Sequence, residues 1–176
     1  MPPSEFTQSF ISYVRTGSTV LDLGAGSGKF SEQFLDKGAR VTAVDMRKPE
    51  HVREGITIIQ GTVEDYVAKA NREHFDLIFM RNILQFLEKE WVFSVLFPWL
   101  HDHINKDGII GIETFYQNPE PAFNQPLKSL YRIQEFNNVL PKWQKLYSEE
   151  CDFNGPDLMG RVRHFFIVDL IMRRKR

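Results

Sequence analysis

Apolar positions along the chain alternate between short buried-type runs and helical periods, the pattern of an α/β protein with a mostly parallel sheet. Phe6, Phe10, Ile11 and Val14 share one helical face, with Ser4 as its cap and Gly17 as its stop. Thr19–Leu23 reads as a first strand, followed by a Gly-rich turn and a helix over Lys29–Lys37 that Gly38 ends. Val41–Asp45 and Ile56–Gln60 read as second and third strands. Only ten residues separate them, fewer than the dozen or more that a parallel crossover usually takes. A short helix near Glu64–Asn71 leads to a buried fourth strand, Phe75–Met80.

Trp91, Val92, Val95, Leu96, Trp99 and Leu100 line one face of a long helix, in which Pro98 predicts a kink or break. Gly108–Phe115 reads as a fifth strand and the proline-bearing 116–126 as a loop. Gln134–Leu140 reads as a further helix. Trp143–Ser148 and His164–Met172 read as closing strands, joined by the Gly- and Asp-containing stretch Cys151–Gly160. The basic end Arg173-Arg174-Lys175-Arg176 is expected to be solvated.

A length of 176 residues suits one domain. It divides into an N-terminal helix (1–16), a core (19–115), and a loop with closing strands (116–176). With 22 basic and 23 acidic residues the net charge is −1, which argues against a nucleic-acid binder. The single cysteine, Cys151, permits no internal disulfide and fits a reducing compartment. No signal-peptide pattern and no apolar run of about 20 residues is visible, so the expected location is cytoplasmic, without a membrane partner. No metal site is expected: His101 and His103 are two apart on a helix and face different ways.

The most informative stretch is Val20-Leu-Asp-Leu-Gly-Ala-Gly-Ser-Gly28. It joins a strand to a helix, and its alternating glycines let a ligand approach the backbone closely. Asp45 lies 21 residues after Gly24, near the ~20-residue offset at which an acid accepts ribose hydroxyls. A dinucleotide fingerprint would place its third glycine where Lys29 stands. Asp22 disfavours a pyrophosphate and favours an ammonium. Together these point to a cationic adenosyl ligand, S-adenosylmethionine.

With Val44-Asp45, Gln60-Gly-Thr-Val-Glu-Asp65 and Phe75-Asp-Leu-Ile-Phe-Met-Arg-Asn-Ile-Leu-Gln-Phe-Leu87, the chain resembles the class I S-adenosylmethionine-dependent methyltransferases. Its brevity and Leu84-Gln-Phe-Leu-Glu-Lys-Glu90 look further like the small TehB-like, tellurite-resistance group. The resemblance implies a doubly wound, Rossmann-like sheet of seven mostly parallel strands in the order 3-2-1-4-5-7-6, with one antiparallel strand and helices on both faces. It also implies that Asp22 and the backbone of Gly24, Ala25 and Gly26 hold the amino-acid end of the cofactor. Asp45 and Met46 would lie at the ribose, Thr62, Val63 and Asp65 at the adenine, and Met80 and Arg81 at the methyl group. The chain departs from the family in having Thr62 where Asp is common and Gln85 where His is common.

Methyl transfer requires chiefly that the nucleophile be held in line and dry. The candidates for any catalytic role are Arg81, Tyr116 and His164, with Arg161 and Arg163 near the expected substrate mouth. The acceptor is expected to be a small molecule, an oxyanion such as tellurite among the choices. The alternatives are a catalytically silent cofactor-binding partner protein and a nicotinamide-dependent oxidoreductase.

Overall fold

The computed structural model describes residues 5–48, 53–69, 72–117, 126–156 and 160–175. Ser4, the expected cap of the first helix, Phe123 of the loop and Arg176 lie outside these. Seven strands form one sheet: β1 (Thr19–Leu23), β2 (Arg40–Asp45), β3 (Ile56–Gln60), β4 (Phe75–Arg81), β5 (Ile104–Phe115), β6 (Trp143–Pro156) and β7 (Val162–Arg174). Their spatial order is β3-β2-β1-β4-β5-β7-β6. The first five pair in parallel, and β7 runs antiparallel to both β5 and β6. The order, the direction of pairing and the doubly wound class agree with what the resemblance implied.

Both faces of the central strands are buried, which explains why β1 and β4 read as largely apolar without alternation. On one face lie α1 (Glu5–Ser12) and α2 (Lys29–Asp36). There Phe79 of β4 is fully enclosed, with ring centroids of Phe6, Phe10, Phe30 and Phe34 at 5.9, 4.8, 5.6 and 5.3 Å. The other face packs Leu21, Leu23, Ile78, Met80, Ile110 and Ile112 beneath α3 (Val63–Ala68) and the helical run 89–103.

Several local expectations need correction. The helix expected over Glu64–Asn71 stops at Ala68. In the run 89–103, α4 (Lys89–Trp91) and α5 (Phe97–His103) flank a π-helical turn, Val92–Leu96. The break expected at Pro98 thus takes the form of this π-helical turn, directly ahead of α5, in whose first turn Pro98 stands. The helix expected at Gln134–Leu140 is a pair of 3-10 turns, Ile133–Asn138 and Leu140–Lys142.

The closing strands are longer than their hydrophobic cores suggest. Cys151–Pro156, expected as a connection, continues β6. Beyond Phe115↔Ile167 the β6–β7 pair runs on as a two-stranded ribbon to Pro156↔Val162. Stacked Phe153 and Phe165, with centroids 5.3 Å apart, hold it together, as such cross-strand aromatic pairs do. The basic end is not merely solvated either: Arg174 closes β7 and its Nη1 donates to the Ile104 carbonyl at 2.6 Å.

Candidate functional site

The carboxyl ends of β1, β2 and β4 meet at the Gly-rich turn. The amides of Gly24 and Ala25 donate to the Val44 carbonyl at 2.8 and 3.1 Å, tying the turn to the end of β2. Gly24 has φ +79°, and a Cβ there would stand 2.8 Å from Cβ of Ile83. Only glycine fits such a position. Gly26 has φ +58°, and no protein atom lies within 4 Å of where its Cβ would be. The turn is therefore tight against the protein at Gly24 and open at Gly26, a cradle that leaves room for a ligand against bare backbone.

Asp45 stands over this cradle. Its Oδ2 accepts from the Gly26 amide at 2.8 Å and its Oδ1 from the Arg47 amide at 2.9 Å. Each oxygen retains a further lone pair, so the carboxylate is oriented yet still able to accept a pair of hydroxyls. Met46 beside it is exposed.

Asp22 lies underneath, 3% exposed, and Ser31 of α2 donates to its Oδ2 at 2.6 Å. Burial, helped by the nearby charge of Asp45 and opposed by Ser31, pushes its carboxyl up to about 7. An acid this buried is costly without a cation. Ser31 was not singled out from sequence, though its place one helical step past the glycines was the available signal.

At the end of β3, Thr62 caps α3 by accepting the Asp65 amide at 2.9 Å. That is the task of a helix N-cap, and it accounts for Thr62 where the family often has Asp. Val63 is buried, whereas the Asp65 side chain is exposed. Met80 is fully enclosed in the core beneath the sheet, so its side chain is not at the site surface as expected.

Arg81 leaves the end of β4 on the face of α2. Its Nε lies 2.8 Å from Glu113 Oε1, and its guanidinium carbon sits 4.9 Å from the centre of the Phe30 ring. The paired acid is buried. Sequence reasoning missed Glu113 and Asp169, both 3% exposed. The signal was present, since an acid inside an apolar strand is rarely idle.

The other catalytic candidates are engaged elsewhere. His164 is on the ribbon, its Nε2 2.7 Å from Asp152 Oδ2 and its Nδ1 3.0 Å from Asn154 Oδ1. Tyr116 packs edge-on to Phe166, and Arg132 lies over its ring at 4.2 Å. Phe115 and Tyr131 are buried, packing the segment after β5. Arg161 is exposed and Arg163 half-buried on the ribbon. Gln85 is enclosed and accepts a bond from Thr114 Oγ1 at 3.3 Å, while its Nε2 has no hydrogen-bond partner. Among the described residues no group of three or more His, Cys, Asp or Glu is arranged to hold a metal. No helix among them is long and apolar enough to cross a membrane.

This arrangement matches known proteins. Residues 3–151 fit the family described as a methyltransferase domain. The chain belongs to that family. Its fold is that of the class I S-adenosylmethionine-dependent methyltransferases, as the motifs implied. TehB from Haemophilus influenzae superposes with a TM-score of 0.76 at 19% identity, over 99% of this chain and 63% of TehB. The 1,6-didemethyltoxoflavin-N1-methyltransferase of Burkholderia thailandensis, solved with S-adenosylhomocysteine, gives 0.72 at 20% identity, over 98% and 78%. At these identities the likeness speaks to the fold alone. A curated relative, the ubiquinone biosynthesis O-methyltransferase of Vibrio vulnificus (strain YJ016), is 35% identical over 78 residues. That match takes in 39% of this chain, which spans about one third (33%) of the relative's length.

Proposed function

We propose that this methyltransferase domain binds S-adenosylmethionine at the Gly24–Gly26 cradle and transfers its methyl group to a small-molecule acceptor at the end of β4. The observation that carries the reading is Asp45, anchored by the Gly26 amide at 2.8 Å beside open backbone. Its remaining lone pairs suit the two hydroxyls of a ribose. Asp22 supports a cationic ligand: an ammonium group nearby would draw its proton off and offset the burial of the charge. By resemblance to the family, the turn Thr62–Val63 would receive the adenine. Family membership also sets the nicotinamide alternative aside, in keeping with Lys29 at the place of a third glycine.

The cofactor, when bound, supplies an electrophilic methyl on a sulfonium. The chain's own work is then to orient and to exclude water. Arg81 and the fully buried Leu84 stand at the β4 end. His164, with both ring nitrogens engaged, is not poised as a base.

The test is a calorimetric titration with S-adenosylmethionine and, separately, NAD, followed by a screen of small acceptors. Micromolar binding of the first and none of the second is expected. Binding of NAD alone would overturn the assignment.

A further inference from the structure

Four ionisable side chains stand in one row across four strands. The register aligns Arg81 of β4 with Glu113 of β5, Glu113 with Asp169 of β7, and Asp169 with Glu149 of β6. Register partners present their side chains on the same face. Because Leu23 pairs with Met80, the row begins one position on, beside Gly24, at the level of the cofactor cradle.

We propose that Glu113 determines the acceptor class: it holds Arg81 and cancels its charge, so that the acceptor is a neutral or cationic nucleophile and not an oxyanion. This rests on the reading of the β4 end as the methyl-transfer site. Among the described residues of β4 and its end, Arg81 is the cation that would recommend an anion, and it is ion-paired with a buried acid. Glu113 is 3% exposed and its Oε1 lies 2.8 Å from Arg81 Nε. The Phe30 ring flanks the guanidinium. An incoming oxyanion would meet the attraction of Arg81 and the repulsion of Glu113 at similar distances. These nearly cancel, while the desolvation of the anion is left unmatched.

Asp169, next in the row, brings a second buried acid behind Glu113. It is 3% exposed, and its Oδ1 is buried with no hydrogen-bond partner. Burial first, then the charges of Glu113 and Glu149, push its carboxyl up to about 8, with Arg81 pulling the other way. On β6, Tyr147 donates to Glu149 from the same side. Burial raises the Glu113 carboxyl as well, and the facing Arg81 is the first of the contacts that oppose it.

The experiment titrates sodium tellurite into the protein, with and without saturating S-adenosylhomocysteine, for the wild type, Glu113→Gln, Arg81→Met and the double variant. The expected result is feeble binding to the wild type, at least a tenfold gain in Glu113→Gln, and loss of that gain in the double variant. Tight binding by the wild type that Arg81→Met abolishes would overturn the proposal, as would an unchanged affinity in a folded Glu113→Gln. If Glu113→Gln does not fold, the comparison of wild type with Arg81→Met decides: equal, feeble binding supports the masking of Arg81. The S-adenosylhomocysteine titration separates the two readings. A protein that fails to bind it loses the methyl-transfer assignment, whereas the tellurite arm read without it still tests the masking.

Discussion

The carboxylate of Asp45 accepts the amide of Gly26 at 2.8 Å, joining the end of β2 to the middle of the Gly-rich turn. One side chain thereby shapes the cradle and presents two oxygens to it. Asp45→Ala is expected to weaken S-adenosylmethionine binding by roughly 10- to 100-fold, the worth of losing hydrogen bonds to a charged acceptor. Asp45→Asn retains one carbonyl acceptor and should lose less. Calorimetry on both variants, with circular dichroism to verify folding, checks the order. Equal affinity in all three proteins would remove Asp45 from the site.

Gly24 and Gly26 should separate stability from binding. Both have positive φ, but a methyl at Gly24 would strike Ile83 at 2.8 Å, whereas one at Gly26 meets no protein atom within 4 Å. Gly26→Ala is therefore expected to cost only the backbone penalty, about 1–2 kcal/mol, while occupying the space meant for the cofactor. Gly24→Ala should destabilise further, because overpacking adds about 1–3 kcal/mol. Thermal melts and cofactor titrations on the pair measure the split. A Gly26→Ala protein with undiminished affinity would show that the open backbone is not the binding surface.

Phe79 tests the packing beneath the site. Four rings lie within 5.9 Å of its centroid and it is fully enclosed. Phe79→Ala should destabilise the fold by about 3–5 kcal/mol, and urea unfolding measures it. Phe79→Leu should recover much of the loss.

The places of the strands and of the Gly turn were legible because they rest on local signals, apolar runs, glycines at fixed spacing and an acid at a strand end, whereas the order of the strands in the sheet came from the family resemblance. The ribbon of β6 and β7 was not legible, since Asp152, Asn154 and Gly155 read as turn residues. Only the partner strand, through Phe165 and His164, makes them extended. Met80 was misplaced for a related reason: it ends a strand at the site, but alternation turns it into the opposite face. The Arg81–Glu113–Asp169 row depends on pairing between strands far apart in sequence. Each acid could be seen as odd by itself, but their meeting required the register.

Asp169 also sets a direction for stability against pH. Its carboxyl is raised from 3.8 to about 8 in the folded protein, so between those values the unfolded chain has released a proton that the folded one keeps. Folding then binds a proton, and stability falls as pH rises through that window. Asp169→Asn removes the penalty. The variant is expected to match or exceed the wild type at pH 8, by on the order of 1–2 kcal/mol, with no such gain near pH 4. Melts across that range decide. A uniform loss at every pH would mean that the carboxyl contributes more by its contacts than its burial costs.

Ser31 offers the finest test of the cofactor's cationic end. Its hydroxyl donates to Asp22 at 2.6 Å and opposes the burial that pushes this acid up to about 7. If the ionised form of Asp22 meets an ammonium, binding below that pH must first release a proton. The affinity for S-adenosylmethionine should then fall as pH drops through about 7 and level off above it. Ser31→Ala removes the bond that favours the charge, so the break should move to higher pH, with several-fold weaker binding at pH 7. Asp22→Asn should flatten the profile altogether. Titrations between pH 6 and 9 on the three proteins read these breaks directly. A Ser31→Ala profile that keeps the wild-type break, or a wild-type profile without one, would show that Asp22 serves the turn's packing and not the ligand's charge.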